Sequence, residues 1–249
     1  MIHIKTEEEI SIMREVGKYH AEMVERVKAG IKIGASTYEL DQVAFKFCKE
    51  NNIIPLQIGY YGYPATTCIG INDDAEHCIP SKTKILKDGD IMTFDSTIKK
   101  NGFCADAAFT VPVGTVDKEG LRLIEITKRA LEAAITNSIE GKQVGDIGHA
   151  IHSVAKEAGY STLENFVAHG IGEEMHEEPE IPNYGEPHTG VRLKEGMTLA
   201  LDTMLCEGEN KVRFLDDGWS TKTVDGKRFG LFEHTVVVRK NCAEVLTVK

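Results

Sequence analysis

The chain has 249 residues, 41% hydrophobic and 27% charged with only 7 prolines, the composition of a folded globular protein able to bury a large core rather than a disordered or fibrous chain. A formal net charge of −10 argues against non-specific nucleic-acid binding, which needs clustered lysine and arginine to displace counterions. Met1 to Glu9 hold no apolar leader and no uncharged apolar run reaches bilayer length, so a cytoplasmic protein without membrane contact is expected.

Thr6 with Glu9, and Ser36 with Glu39, give the S/T-x-x-E signature of a capping box, so a helix is predicted to start at each. Ile10, Met13, His20, Met23, Val24 and Val27 recur at three- and four-residue steps behind the first, and Leu40, Val43, Ala44 and Phe47 behind the second. From Ile91 to Val113 two strand-like runs flank Asn101-Gly102, a dipeptide that favours the type I′ turn of a tight hairpin. Leu121, Ile124, Leu131 and Ile135 then mark a long helix, Gly141 to Gly145 a break, and Ile147, Ala150, Ile151, Val154, Ala155 and Ala158 a shorter helix. Strands are predicted over Phe166 to Ile171, Met197 to Leu205 and Phe229 to Val238. The order helix, glycine-containing break, helix and strands occurs twice, which predicts an α+β domain spanning 1–249, with related halves of roughly 1–115 and 116–249 and helices on one face of a mostly antiparallel sheet. The alternative is that helix, turn, helix recurs by chance.

If Asn101 and Gly102 form the turn, Asp95 lies opposite Ala108 and Asp106 is its diagonal neighbour on the same face, about 7–8 Å away at the backbone. A loop one residue longer or shorter would put the two carboxylates on opposite faces. Buried among Phe94, Ile98, Phe103 and Phe109 they would repel each other, and a cation between them would resolve the conflict; on the solvent face of an edge hairpin they would need none. His169 and His176 frame HGIGEEMH, whose glycines favour two ends of a loop over one helix face. In GMTLALDTML, Asp202 shares a strand face with the small Thr198 and Ala200, and Glu233 interrupts the β-prone run RFGLFEHTVVV. Either could be an edge-strand charge. Together these residues make four carboxylates and an imidazole, an oxygen-and-nitrogen set that suits Mn²⁺, Fe²⁺, Co²⁺ or Zn²⁺. Two such ions can activate a shared water and clamp a scissile carbonyl, which is hydrolytic chemistry. The six cysteines (Cys48, Cys68, Cys78, Cys104, Cys206, Cys242) show no CxxC pair and are expected as reduced, mostly buried thiols.

In order along the chain, YYGYPATTCIGIN, EHCIP, DGDIMTFD, GFCAD, AHGIGEEMHEEP, EGMTLALDTM, DGWSTKT and FEHTVVV resemble the motifs of the type I methionine aminopeptidases, over essentially the whole length. The resemblance implies the pita-bread fold, two pseudo-symmetric halves around a curved antiparallel sheet with helices outside. It implies two divalent metal cations, with Asp95 on one metal, Asp106 and Glu233 bridging, and His169 and Asp202 on the other. His77 and His176 match the family's substrate-contacting histidines, which orient the peptide and stabilise the tetrahedral intermediate. Tyr60, Tyr63, Cys68, Met175 and Trp219 match positions lining its methionine pocket, where an adaptable apolar surface suits a thioether. The implied substrate is the N-terminus of nascent polypeptides, methionine followed by a small residue, met near the ribosome exit tunnel by a monomeric enzyme.

The chain departs from the family at several points. Asp202 and Thr203 stand where glutamate and proline are usual, and that glutamate is both metal ligand and proton shuttle. Losing a methylene withdraws the carboxylate by roughly 1.5 Å, against ligand tolerances of about 0.2 Å. Met175 replaces a usual phenylalanine, Cys78 a glycine and Tyr61 a common histidine. Two alternatives follow: a non-catalytic or weakly active pita-bread peptide-binding paralogue, against which the retained His77, Asp95, Asp106, His169, His176 and Glu233 argue, and an Xaa-Pro aminopeptidase.

Overall fold

The computed structural model describes residues 2–249. Helices α1 (Glu7–Gly30) and α2 (Thr37–Glu50) are followed by strands β1 (Ile54–Pro55), β2 (Cys68–Ile71), β3 (Ile91–Lys100) and β4 (Phe103–Pro112). Helices α3 (Lys118–Asn137) and α4 (Val144–Ala158) precede β5 (Ser161–Thr162), β6 (Val167–Gly170), β7 (Glu177–Pro182), β8 (Thr198–Cys206), β9 (Val212–Phe214), β10 (Thr221–Thr223), β11 (Phe229–Val237) and β12 (Glu244–Val245).

Both capping boxes form. The Thr6 hydroxyl accepts from the Glu9 amide at 3.2 Å while the Glu9 carboxylate accepts from the Thr6 amide at 2.7 Å, and Ser36 and Glu39 repeat the pair at 3.2 and 2.7 Å. Each box satisfies two amides that a helix start would otherwise leave unpaired. Helix α4 starts earlier than the glycine break predicts, with Gly145 inside its first turn; the Asp146 carboxylate accepts from the Gln143 amide at 2.7 Å and closes that end.

The strands form two main antiparallel ladders. In the first, β3 carries β4 along one edge and β1 and β2 along the other; in the second the order is β12-β11-β8-β6-β7, with β5 also on β8. Strands β4 and β11 lie side by side where the ladders meet. Threonine hydroxyls bridge the seam. Thr110 Oγ1 donates to the Leu231 carbonyl and accepts from its amide, both at 2.8 Å, while Thr235 Oγ1 does the same for Asp106 at 2.8 and 2.9 Å. Each strand thus satisfies a residue of the other that the main chain leaves unpaired.

Helices α1 and α2 pack Val16, Met23, Leu40 and Phe47 onto Met92, Phe94, Ile98 and Phe109 of the first ladder. Helices α3 and α4 pack Leu123, Ile147 and Ile151 onto Leu199, Leu201 and Val236 of the second. Phe232 packs against both cores. Burying each large apolar side chain contributes about 1.5–3 kcal/mol, so these two contacts supply most of the drive for folding. Along each strand, the residues between these core positions face the other way.

Candidate active site

Strand parity puts the acidic residues on the face away from the helices. On β3, Met92, Phe94 and Ile98 belong to the core, so Asp95 and Thr97 point opposite; on β4, Ala105 and Phe109 leave Asp106 on that same far face. Asn101 (φ 52°) and Gly102 (φ 89°) both adopt the left-handed conformation that a type I′ turn demands. The register is therefore the one expected, with Asp95 opposite Ala108 and Asp106 opposite Thr97. On β8, Leu199 and Leu201 face the helices and Asp202 does not, and Glu233 of β11 lies directly opposite Asp202. Like charges directly opposite one another on adjacent strands are destabilising without compensation.

Asp95, Asp106, His169 and Asp202 line a cavity of about 510 Å³, together with Glu76, His77 and His176. Glu233, paired with Asp202 across the ladder, is 1% exposed. Ligand atoms of Asp106, His169 and Glu233 all fall within 4.8 Å of one another, whereas Asp95 and Asp202 stand outside that tight group. Among the described residues no lysine or arginine lines the cavity. Burial, reinforced by the neighbouring carboxylates, holds Asp95, Asp202 and Glu233 well above the usual carboxylate range. Burial pushes Asp106 up to about 6, although the Thr97 hydroxyl donates to its Oδ2 at 2.7 Å. Asp106 Oδ1 and Glu233 Oε1 are buried without a hydrogen-bond partner.

Oxygens orphaned in this way fit a divalent cation. A buried ionised carboxylate without a counter-charge costs several kcal/mol, and several carboxylates facing one another cost more. His169 completes the donor set. Its Nδ1 lies 2.8 Å from the Gly170 carbonyl, which can accept but not donate, so Nδ1 carries the proton and Nε2 is left with a free lone pair. Burial holds this imidazole down to about 4, neutral and able to ligate. The ladder between β6 and β7 shifts register between His169 and Gly170, and a Cβ at Gly170 would lie 2.2 Å from the Glu178 carbonyl oxygen.

The predicted substrate-contacting residues gather at the mouth. The loop between β6 and β7 folds His176 back on His169, with ring centroids 4.5 Å apart, and the Tyr60 hydroxyl meets His176 Nδ1 at 2.9 Å. His77 stands edge-on to Phe166 at 5.0 Å and to Trp219 at 6.2 Å, and burial holds it down to about 4. Tyr63, Cys68 and Met175 are buried in the cavity wall, and the Tyr63 hydroxyl donates to the Thr67 carbonyl at 3.0 Å. Tyr63 packs edge-on to Trp219 at 5.1 Å.

Four further residues serve the site without having been singled out from the sequence. Thr97 and Thr235 fix Asp106. Asn183 holds β8 from beside Asp202, donating to the Asp202 carbonyl at 2.9 Å and accepting from the Met204 amide at 3.0 Å. Glu76, inside the motif EHCIP, turns its carboxylate into the cavity. The only sequence signal for Glu76 is a charge beside His77.

Comparison with known proteins agrees with this geometry. The chain is 40% identical to methionine aminopeptidase 1 of Bacillus subtilis, over 99% of both chains. A crystal structure of the methionine aminopeptidase of Thermotoga maritima superposes with a TM-score of 0.98 at 39% identity, covering all of both chains. The prolidase of Pyrococcus furiosus shares the fold alone, with a TM-score of 0.80 at 23% identity over 99% of this chain and 65% of that one. The architecture is thus the pita-bread α+β fold. The model of Metallopeptidase family M24 matches residues 11–240, nearly the whole length over which the carboxylates and histidines of the cavity are distributed, and the chain belongs to that family.

Proposed function

We propose that this protein removes the amino-terminal methionine from polypeptides whose next residue is small, using divalent cations held by Asp95, Asp106, His169, Asp202 and Glu233. One observation carries the reading: four carboxylates and an imidazole converge at a cavity without a cationic side chain, in a chain whose full-length relatives are named methionine aminopeptidases. Membership of a metallopeptidase family implies divalent metal use. Two ions from among Mn, Fe, Co and Zn are the complement that this donor set supports. The Xaa-Pro alternative rests on a likeness of fold alone.

When bound, such cations acidify a water and polarise the scissile carbonyl. His169 offers Nε2 because Nδ1 is committed to Gly170. Asp202, partly exposed toward the cavity, takes the proton from the attacking water and passes it to the leaving amine. His77 and His176, the first held down to about 4 and the second also lowered by burial, are neutral near pH 7, and their N–H groups serve as donors to the substrate carbonyl. The methionine side chain enters between Tyr60, Tyr63, Cys68, Met175 and Trp219, a mostly apolar wall with soft sulfur surfaces. Nascent chains leaving the ribosome in the cytoplasm are the source of such termini that we assign. Among the described residues no helix is long and apolar enough to cross a membrane.

The test is release of methionine from Met-Ala-Ser by purified protein. Chelation is expected to abolish turnover and Mn²⁺ or Co²⁺ to restore it; no turnover with any of Mn²⁺, Fe²⁺, Co²⁺ or Zn²⁺ overturns the reading.

A further inference from the structure

Glu76 lies in the loop between β2 and β3, yet it is only 5% exposed, and its side chain lines the cavity beside Asp95, Asp106 and Asp202. Its Oε1 is buried with no hydrogen-bond partner. The main chain around it is tightly held. The Thr221 amide and hydroxyl both donate to the Glu76 carbonyl, at 3.1 and 3.0 Å, the Ala75 amide donates to the Thr221 carbonyl at 2.8 Å, and the Ile79 amide donates to the Ser220 hydroxyl at 3.0 Å. Next to it, His77 takes a left-handed φ of 56°. A loop clamped this firmly, with a strained neighbour, does not leave the carboxylate free to swing out to water.

The charges around Glu76 are all of one sign. It repels Asp106, and among the charges acting on Asp202 that of Glu76 is the largest; Asp95 and Glu233 feel it as well. A carboxylate with an orphaned oxygen, aimed into a group of other carboxylates and out of reach of any lysine or arginine in the cavity wall, needs a cation. Asp202 lines the same cavity, and both it and Glu76 stand outside the tight group of Asp106, His169 and Glu233.

We propose that Glu76 is a sixth protein ligand of the metal centre, adding a carboxylate oxygen to the cavity wall that the short Asp202 side chain also lines. This rests on the metallopeptidase reading above and adds a residue to its ligand set. Glu76 joins the site from a loop, whereas four of the other ligands come from the β3–β4 and β8–β11 strand pairs.

The experiment is calorimetric titration of Mn²⁺ into chelator-stripped protein, with ion content checked by elemental analysis, for wild type, Glu76→Gln, Glu76→Asp and Glu76→Gln combined with Asp202→Glu. Wild type is expected to take two ions. Glu76→Gln keeps the shape and removes the charge, and is expected to weaken one of the two by at least about tenfold. Glu76→Asp falls between, and the longer carboxylate in the double variant restores affinity. The melting temperature of each stripped variant reports folding, and that of Glu76→Gln is expected to equal or exceed wild type. If Glu76→Gln binds two ions with wild-type affinity, Glu76 is no ligand, although the proposed function stands. If wild type itself binds no divalent cation, both fail.

Discussion

Asp106 joins every part of the candidate centre. Its Oδ2 accepts from Thr97, its main chain is bracketed by Thr235, and its Oδ1 is orphaned beside His169 and Glu233. A residue held so firmly in an unfavourable field is expected to serve ion binding at the expense of the empty fold. Asp106→Asn is expected to abolish Mn²⁺ binding and Met-Ala-Ser turnover while raising the melting temperature of the chelator-treated protein, by about 2–4 °C for each kcal/mol of repulsion relieved. A lower melting temperature than stripped wild type would show that the carboxylate is structural. Besides lining the cavity, Tyr60 holds His176 across their 2.9 Å hydrogen bond. Tyr60→Phe is therefore expected to lower kcat/KM by about two- to tenfold, the effect of one hydrogen bond, without changing metal content; unchanged kinetics would remove Tyr60 from the site. At this scale the sequence was most informative where periodicity constrains direction. Asp95, Asp106 and Asp202 could be oriented because strand neighbours alternate, and the Asn101-Gly102 turn set the register. Glu76 had no such frame: a loop residue has no period, and only the three-dimensional path of the clamped chain reveals where it points.

Among the elements, the seam between β4 and β11 matters most. Two hydroxyls, Thr110 and Thr235, replace main-chain ladder bonds there, and one of them holds the residue that links the two carboxylate pairs. Thr235→Val keeps the shape but leaves the Asp106 amide and carbonyl unsatisfied in a buried position. A loss of about 1–3 kcal/mol in unfolding free energy is expected, measured by urea denaturation, with weaker Mn²⁺ binding as β4 loosens. A stability equal to wild type would mean that water replaces the hydroxyl without penalty. Helices α1 and α2 were legible down to their capping boxes, since caps and amphipathic spacing are local properties. So were the long strands β3, β4, β8 and β11. Strand β7, reading EEPEIP, and the short β9–β10 pair carry no alternating apolar pattern, and their pairing is fixed by what they lie against. The threonine seam was illegible for the same reason, because Thr110 and Thr235 look like ordinary strand residues until the strands meet.

On the scale of the whole molecule, two helix-backed ladders press like charges together at the cavity, so metal binding and folding must be linked through pH. Burial raises Glu76 to about 8 and holds Asp95, Asp202 and Glu233 well above their usual range. An acid whose folded pKa is raised binds more protons in the folded state, so its contribution is fully present below the unfolded pKa and is lost as pH rises through the folded one. The buried histidines act oppositely: His20, His77 and His169, held down to about 4 by burial, favour unfolding as pH falls below their unfolded value of 6.5. About one unit above 6.5 they are neutral in both states and drop out. Between about pH 7.5 and 8.5 the carboxylates therefore govern, and the stripped protein is expected to lose about 1.4 kcal/mol per pH unit for each extra proton the folded state holds. With Mn²⁺ bound, the same carboxylates are ionised throughout, no folded-state proton remains to be lost, and binding adds its own stabilisation. Melting temperatures measured across this window with chelator and with Mn²⁺ should diverge as pH rises, the stripped protein falling and the loaded one holding level. Parallel curves would mean that the carboxylates do not share a cation, and the account of why so much negative charge is buried in one cavity would fail with them.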